Sequence, residues 1–202
     1  MVAMDPPDTM TSGLAPGFLV ASPGLRDPNF ARSLVLMAEH KPEGSLGFVV
    51  NRPSRVTVGE VLEQVDPALR AEAERNDRAH ASVLVGGPVQ PERLWILHRP
   101  DSVPPDEGGL VIPGALAVGG SRELLETIMR APAPGSFLLL LGYSGWGPLQ
   151  VEHEVGAGGW IPLQFVESLV FDVPIAARWD EAVKRLGLTP GGFSVSGGGA
   201  QA

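Results

Sequence analysis

Apolar residues in the first quarter of the chain fall in short unbroken runs: GFLVAS (17–22), SLVLMAEH (33–40) and LGFVVN (46–51). Runs of this length bounded by proline and glycine predict buried strands rather than helices. Pro23 and Gly24 stop the first run, and KPEGS (41–45) separates the second from the third by a turn of hairpin length. A β-hairpin is therefore expected there. After Pro53 the period changes. Val58, Val61, Leu62 and Val65 share one helical face, and Thr57 stands three residues before Glu60, the spacing at which hydroxyl and carboxylate satisfy each other's end of a helix.

The mixed-charge stretch 70–80 then predicts a solvated helix end and loop. SVLVGG (82–87) and RLWILH (93–98) predict two further strands joined by PVQPE, and residues 99–109 form a proline-rich acidic loop that should be exposed and tolerant of insertion. Ser121 caps a helix whose buried stripe is Leu124, Leu125 and Ile128. The run SFLLLLGYS (136–144) shows no polar alternation, which predicts a strand covered on both faces at the centre of the sheet. Pro148 suits the first turn of a helix through Val155. Trp160 to Leu163 reads as a short return, and Asp172 and Pro174 open a last helix that buries Ile175, Trp179, Ala182, Val183 and Leu186 and ends at Gly187. The pattern is α+β: a mixed, mainly antiparallel sheet curled toward a barrel, with flanking helices.

Composition narrows the function classes. Two hundred and two residues with 44% hydrophobic and 19% charged content suit one soluble domain. Residues 1–13 and the glycine-rich tail 189–202 lack periodicity and are expected to be disordered, leaving a single domain over 14–188. No apolar run approaches the roughly 20 residues that span a bilayer, and no signal pattern opens the chain. A cytoplasmic location without membrane contact is expected. The absence of cysteine excludes disulfides, thiolate metal sites and cysteine nucleophiles. A formal charge of -8 opposes attraction to a phosphate backbone, so no direct nucleic-acid contact is expected.

Candidate chemistry concentrates in GYSGWGPLQVEHE (142–154). Ser144 between glycines suggests a nucleophile on a tight turn, but the hydrolase elbow is G-x-S-x-G and Trp146 stands where its second glycine belongs. Gly145 and Gly147 could leave amides of the next helix turned outward toward an anion, but no lysine accompanies them as in a phosphate loop, which favours the reading that they only permit the turn and the close approach of Trp146 to the sheet. Gln150 and Glu154, four apart, share a helix face that could line a pocket against Tyr143, or could be a solvated face or a cap on a buried backbone group, while Glu152 and His153 point elsewhere. His40, His98 and His153 with Glu154 lack metal-site spacing. His40 and Asn51 should lie at opposite ends of their hairpin.

The stretches LVASPGLRDPNFARSLVLMAEHKPEGSLGFVVNRP, VGGPVQPERLWILH, LLLLGYSGWGPLQVEHEV and LVFDVPIAARWDEAVKRLG, in that order, resemble the hallmark segments of the YqgE/AlgH family, also called UPF0301 or DUF179. The resemblance covers about Gly17 to Leu188. It implies a bacterial mixed α/β domain around a barrel-like sheet, and the label of transcriptional regulator carried by some members rests on no recognised DNA-binding motif. Relatives commonly carry alanine at the position of Ser144, which argues against a nucleophile. The resulting expectation is a non-catalytic binding or regulatory domain with no metal or cofactor. It acts through a protein or small-molecule partner, with His40, Asn51, Arg52, His98, Tyr143, Trp146, Gln150 and Glu154 as ligand-binding candidates. The alternative is a small-molecule hydrolase or metal-dependent enzyme centred on Tyr143, Ser144, His153 and Glu154.

Overall fold

A computed structural model describes residues 14–112, 116–131 and 136–189. The segment 1–13 and the tail beyond Thr189, expected to be disordered, lie outside the described residues. In chain order the strands are β1 (Gly17–Ala21), β2 (Leu34–Lys41), β3 (Gly44–Val49), β4 (Pro53–Thr57), β5 (Ser82–Val85), β6 (Val89–His98), β7 (Leu110–Ile112), β8 (Leu116–Gly119), β9 (Phe137–Trp146) and β10 (Trp160–Gln164). The helices are α1 (Val58–Val65), α2 (Pro67–Arg75), α3 (Arg122–Arg130), α4 (Gln150–Gly156), α5 (Ser168–Phe171) and α6 (Arg178–Arg185).

The apolar run after Ser136 is the hub. Strand β9 pairs with β6 along residues 137–143 and with β3 along residues 144–146, and it takes β5 alongside in parallel at Leu140 and Leu141. Both of its faces are covered: Leu138, Leu140 and Tyr143 belong to the core that α6 also enters, while Phe137, Leu139 and Leu141 belong to the core shared with α1, α2 and α3. The same two-sided cover explains why β1 has no polar alternation. Phe18 and Val20 enter one core and Leu19 and Ala21 another. The sheet runs β10-β1-β2-β3-β9-β6-β8-β7 and stays open. Its β7 end comes back against β2, so it curls without closing into a barrel.

Gly142 lets β9 serve both halves. Its φ is 69°, a conformation that costs other residues strain, and a Cβ there would stand 2.5 Å from the Gly87 carbonyl oxygen. The crossing chain is equally bare: a Cβ on Gly87 would lie 2.2 Å from the Tyr143 carbonyl carbon. Two backbones meet here with no room for a side chain.

The hairpin β2–β3 turns through Pro42 and Glu43, with Lys41 opposite Gly44. Helix α1 carries the full capping box, with Thr57 and Glu60 each bonding the other's backbone, and Ser121 caps α3 through the Leu124 amide.

Several expectations are corrected. Strands β4, β7 and β8 were not foreseen. PVQPE is not a connection beyond Pro88, because β6 begins at Val89 and absorbs the surplus as a register shift between Val89 and Leu94, with Gln90 at φ 46°. The stretch 70–80 is not merely solvated. Ala73 and Ala79 are buried, and Arg78 turns inward to donate to the carbonyls of Ile128, Met129 and Ala131, stopping the C-terminal end of α3. The acidic loop 99–109 is pinned at two points. Val103 is buried, and Asp106 accepts from the Gly120 and Ser121 amides and the Ser121 hydroxyl. Burial pushes the Asp106 carboxyl up, but these bonds together with one from the Glu107 backbone outweigh it and hold the group below its ordinary value. The last helix is broken: a 3-10 turn (Ile175–Ala177) precedes α6, and Trp179, Ala182 and Val183 provide its buried side. No helix among the described residues is long and apolar enough to cross a membrane.

Candidate functional site

Asn51 and Arg52 come just after β3, beyond Val50, whose amide makes a last bond to the Leu34 carbonyl before the ladder to β2 runs out. The Asn51 carboxamide takes over from it: its Oδ1 accepts from the Leu34 amide at 2.7 Å and its Nδ2 donates to the Arg32 carbonyl at 2.8 Å. Arg52 reaches the same loop further out. Its guanidinium donates to the carbonyls of Pro28 at 3.1 Å, of Asn29, and of Ala31 at 3.2 Å. A rigid planar fork suits several convergent carbonyls in a way an ammonium cannot. Between those anchored residues lies Phe30, whose amide is further tied to the Asp27 carbonyl at 3.0 Å.

Phe30 is thereby delivered against two tryptophans from distant parts of the chain. Its ring stacks on Trp146 with centroids 6.2 Å apart and meets Trp160 edge-on at 5.3 Å, while Trp146 and Trp160 meet edge-on at 6.0 Å. Trp146 ends β9 and Trp160 begins β10. Helix α4 bridges the two, and from it Glu154 accepts both indole N–H groups on Oε2, at 3.0 Å from Trp146 and 2.8 Å from Trp160. Gln150, one turn earlier, donates to Glu154 Oε1 at 2.8 Å and accepts from the Gly147 amide at 3.0 Å. That last bond corrects the start of the helix. Pro148 lies ahead of it, Leu149 is left-handed at φ 60°, and the Gln150 side chain satisfies the turn. The Gly147 amide is thus occupied within the chain and not turned out to an anion.

These groups wall a cavity of about 410 Å³, with Leu25 and Asp27 on its other side. Of the expected ligand-binding residues, Trp146, Gln150 and Glu154 come together here, and Asn51 and Arg52 act one step back by holding Phe30. Tyr143 is not on this cavity, so of the two readings of the Gln150–Glu154 face the pocket against Tyr143 does not form, while Gln150 does cap a backbone amide. Tyr143 packs edge-on against Trp95 at 6.1 Å and borders a neighbouring open cavity with Glu39, Lys41 and Ser45.

The histidines are dispersed. His40 Nδ1 lies 2.7 Å from the Ser45 hydroxyl and its Nε2 3.6 Å from Glu152, linking the hairpin to α4. His98 is fully buried in the other half of the sheet, and its Nε2 has no hydrogen-bond partner among the described residues. Burial lowers its pKa, opposed by the Arg99 carbonyl and by Asp106. His153 is exposed. Among the described residues no three acidic or histidine side chains stand close enough to hold a metal. Ser144 is fully buried and donates to the Gly86 carbonyl at 3.2 Å, so its hydroxyl braces the glycine crossing.

Sequence reasoning missed Phe30, Trp160 and Leu25 as members of the cleft. Phe30 sits in a loop without periodicity, and its one sequence signal is that it is a large apolar residue where a loop needs none. Arg178 is also buried; it donates to the carbonyls of Val50 and Val173, and burial lowers its pKa to about 10.

The AlgH-like family profile, DUF179, matches residues 18–191. A UPF0301 protein of Anaeromyxobacter sp. (strain Fw109-5) is 65% identical over 198 residues, spanning 97% of this chain and all of that protein. A UPF0301 protein of Photobacterium profundum is 37% identical, covering 91% of this chain and 97% of the relative. Among solved structures, the solution structure of the AlgH protein of Pseudomonas aeruginosa superposes with a TM-score of 0.72 at 33% identity over 94% of each chain. A Corynebacterium diphtheriae protein at 20% identity and a TM-score of 0.65, covering 92% of this chain and 90% of its own, shares the fold. With the family profile spanning nearly the whole described chain and full-length relatives this similar, the chain belongs to the AlgH-like, UPF0301 family.

Proposed function

We propose that residues 14–188 act as a single non-catalytic binding domain, which takes a small ligand in the cleft formed by Phe30, Trp146, Glu154 and Trp160 and serves a regulatory role in the cytoplasm. The observation that carries this reading is the Glu154 carboxylate, held by two indoles and an amide at the wall of a 410 Å³ cavity. Clefts of a few hundred Å³ with aromatic walls and one or two fixed polar groups are the usual form of small-ligand sites. The burial of Ser144 against a carbonyl and the exposure of His153 weigh against the hydrolytic alternative, since a nucleophile and its base must meet.

Native mass spectrometry of the protein incubated with a bacterial small-molecule extract tests this. The wild type should retain one discrete added mass that Phe30→Ala and Glu154→Gln lose. Retention of nothing, or equal retention by all three proteins, would end the proposal.

A further inference from the structure

Building on the binding reading above, we infer that the cleft selects a small organic cation, an ammonium group carried on an apolar stem. The argument is one of unbalanced charge. A carboxylate offers about four acceptor positions, and three of those on Glu154 are filled, two by indole N–H groups on Oε2 and one by the Gln150 amide on Oε1. All three donors are neutral. They fix the carboxylate without cancelling its charge, and they leave Oε1 with room for one more donor. Glu154 takes no part in any ion pair among the described residues, whereas Glu63, Glu74, Glu126, Glu167 and Glu181 each meet an arginine.

The rest of the wall reinforces the sign. Among the described residues Asp27 is the other ionisable group lining the cavity, and no lysine or arginine does. The remaining surface is aromatic and aliphatic, supplied by Phe30, Trp146, Trp160 and Leu25. Aromatic rings attract a desolvated cation and are indifferent or repulsive to an anion. An anionic ligand would face two carboxylates with no compensating donor of positive charge. A neutral apolar ligand would gain the rings but leave the fourth acceptor position of Glu154 empty. An ammonium with an apolar stem meets both features: a charge-assisted bond to Glu154 Oε1 and an aromatic and aliphatic wall for the stem.

The test uses three probes of nearly equal size on the full chain at constant ionic strength: benzylammonium, benzyl alcohol and phenylacetate. The readout is the set of four indole N–H signals in a nitrogen–proton correlation spectrum, one for each tryptophan, with those of Trp146 and Trp160 assigned by substitution. Benzylammonium should move these two signals saturably and bind about tenfold more tightly than the alcohol, with phenylacetate the weakest. Glu154→Gln should remove the preference for the ammonium while keeping the alcohol's affinity. Should that variant unfold, Asp27→Asn at the exposed rim should reduce the preference by a smaller factor. Equal affinity for ammonium and alcohol, or tighter binding of phenylacetate, overturns the cationic assignment while leaving the binding reading to its own extract experiment. Failure of all three probes to move either signal also overturns it.

Discussion

The two ends of strand β3 and their surroundings use polar side chains in opposite ways. At the Asn51–Arg52 end, side-chain polar groups are turned onto backbone carbonyls and an amide of the 28–34 segment. At the other end, beyond Trp146, polar side chains bond mainly to one another and stand beside an open cavity. The first arrangement satisfies backbone groups that the ladder no longer reaches, so its removal should be felt in stability. The second holds a charge in place at a surface, so its removal should be felt in binding. Matching a family motif does not separate these cases; the partners of each side chain do. The two ends are also connected, because the loop that Arg52 fastens is the one that carries Phe30 to Trp146 and Trp160.

The largest expected effect tests that division. Arg52→Ala removes donors from three carbonyls and should cost about 3 kcal/mol in urea unfolding, since bonds to charged donors count more than neutral ones and do not add fully. Glu154→Gln should cost about 1 kcal/mol on the same neutral-bond scale. Equal losses from the two substitutions would erase the distinction between a fastening end and a binding end. Arg52→Lys should recover little, because one ammonium cannot reach three carbonyls.

A smaller effect comes from His98, whose burial holds its folded pKa below the unfolded value near 6.5. The unfolded chain therefore binds a proton more readily than the folded one, so stability falls as pH drops through the interval below 6.5 and is unaffected by this residue above it. His98→Gln should flatten that part of a stability-against-pH curve; an unchanged slope would show that the buried ring is not its source. The smallest effect belongs to Ser144→Ala. Losing one neutral bond to the Gly86 carbonyl, which also accepts from the Val49 amide, should cost no more than about 1 kcal/mol. Binding in the cleft should not change, and a fluorophosphonate probe should label neither protein. Covalent labelling of Ser144 would remove it from the fold's scaffolding altogether.

Much of this architecture is legible in the sequence wherever local chemistry decides it. The Thr57–Glu60 capping box, the Ser121 cap, the β2–β3 hairpin and the two-sided burial of β9 all follow from spacing and apolar runs. Strand β4 was hidden because it begins at Pro53 and is half exposed, so no apolar run marks it. Arg78 looked like one more charge in a solvated stretch, and only the arrival of α3 turns it inward. The cleft was half legible. Gln150 and Glu154 share a helix face by periodicity alone, but their true neighbours, Phe30 and Trp160, lie more than a hundred residues apart and meet only through the order of strands in the sheet. The side that Tyr143 faces is illegible for the same reason: the strand continues past Gly142, and Tyr143 and Trp146 enter different cores.

The glycine crossing at Gly86, Gly87 and Gly142 bears on how any collection of related sequences is to be interpreted. Three positions where two main chains touch must stay bare whatever the molecule binds, and the buried gap beside them has room only for a small side chain such as that of Ser144. Invariance in this neighbourhood would therefore report steric necessity, and on the binding role proposed above the positions whose variation tracks a change of ligand are to be sought around Glu154 instead.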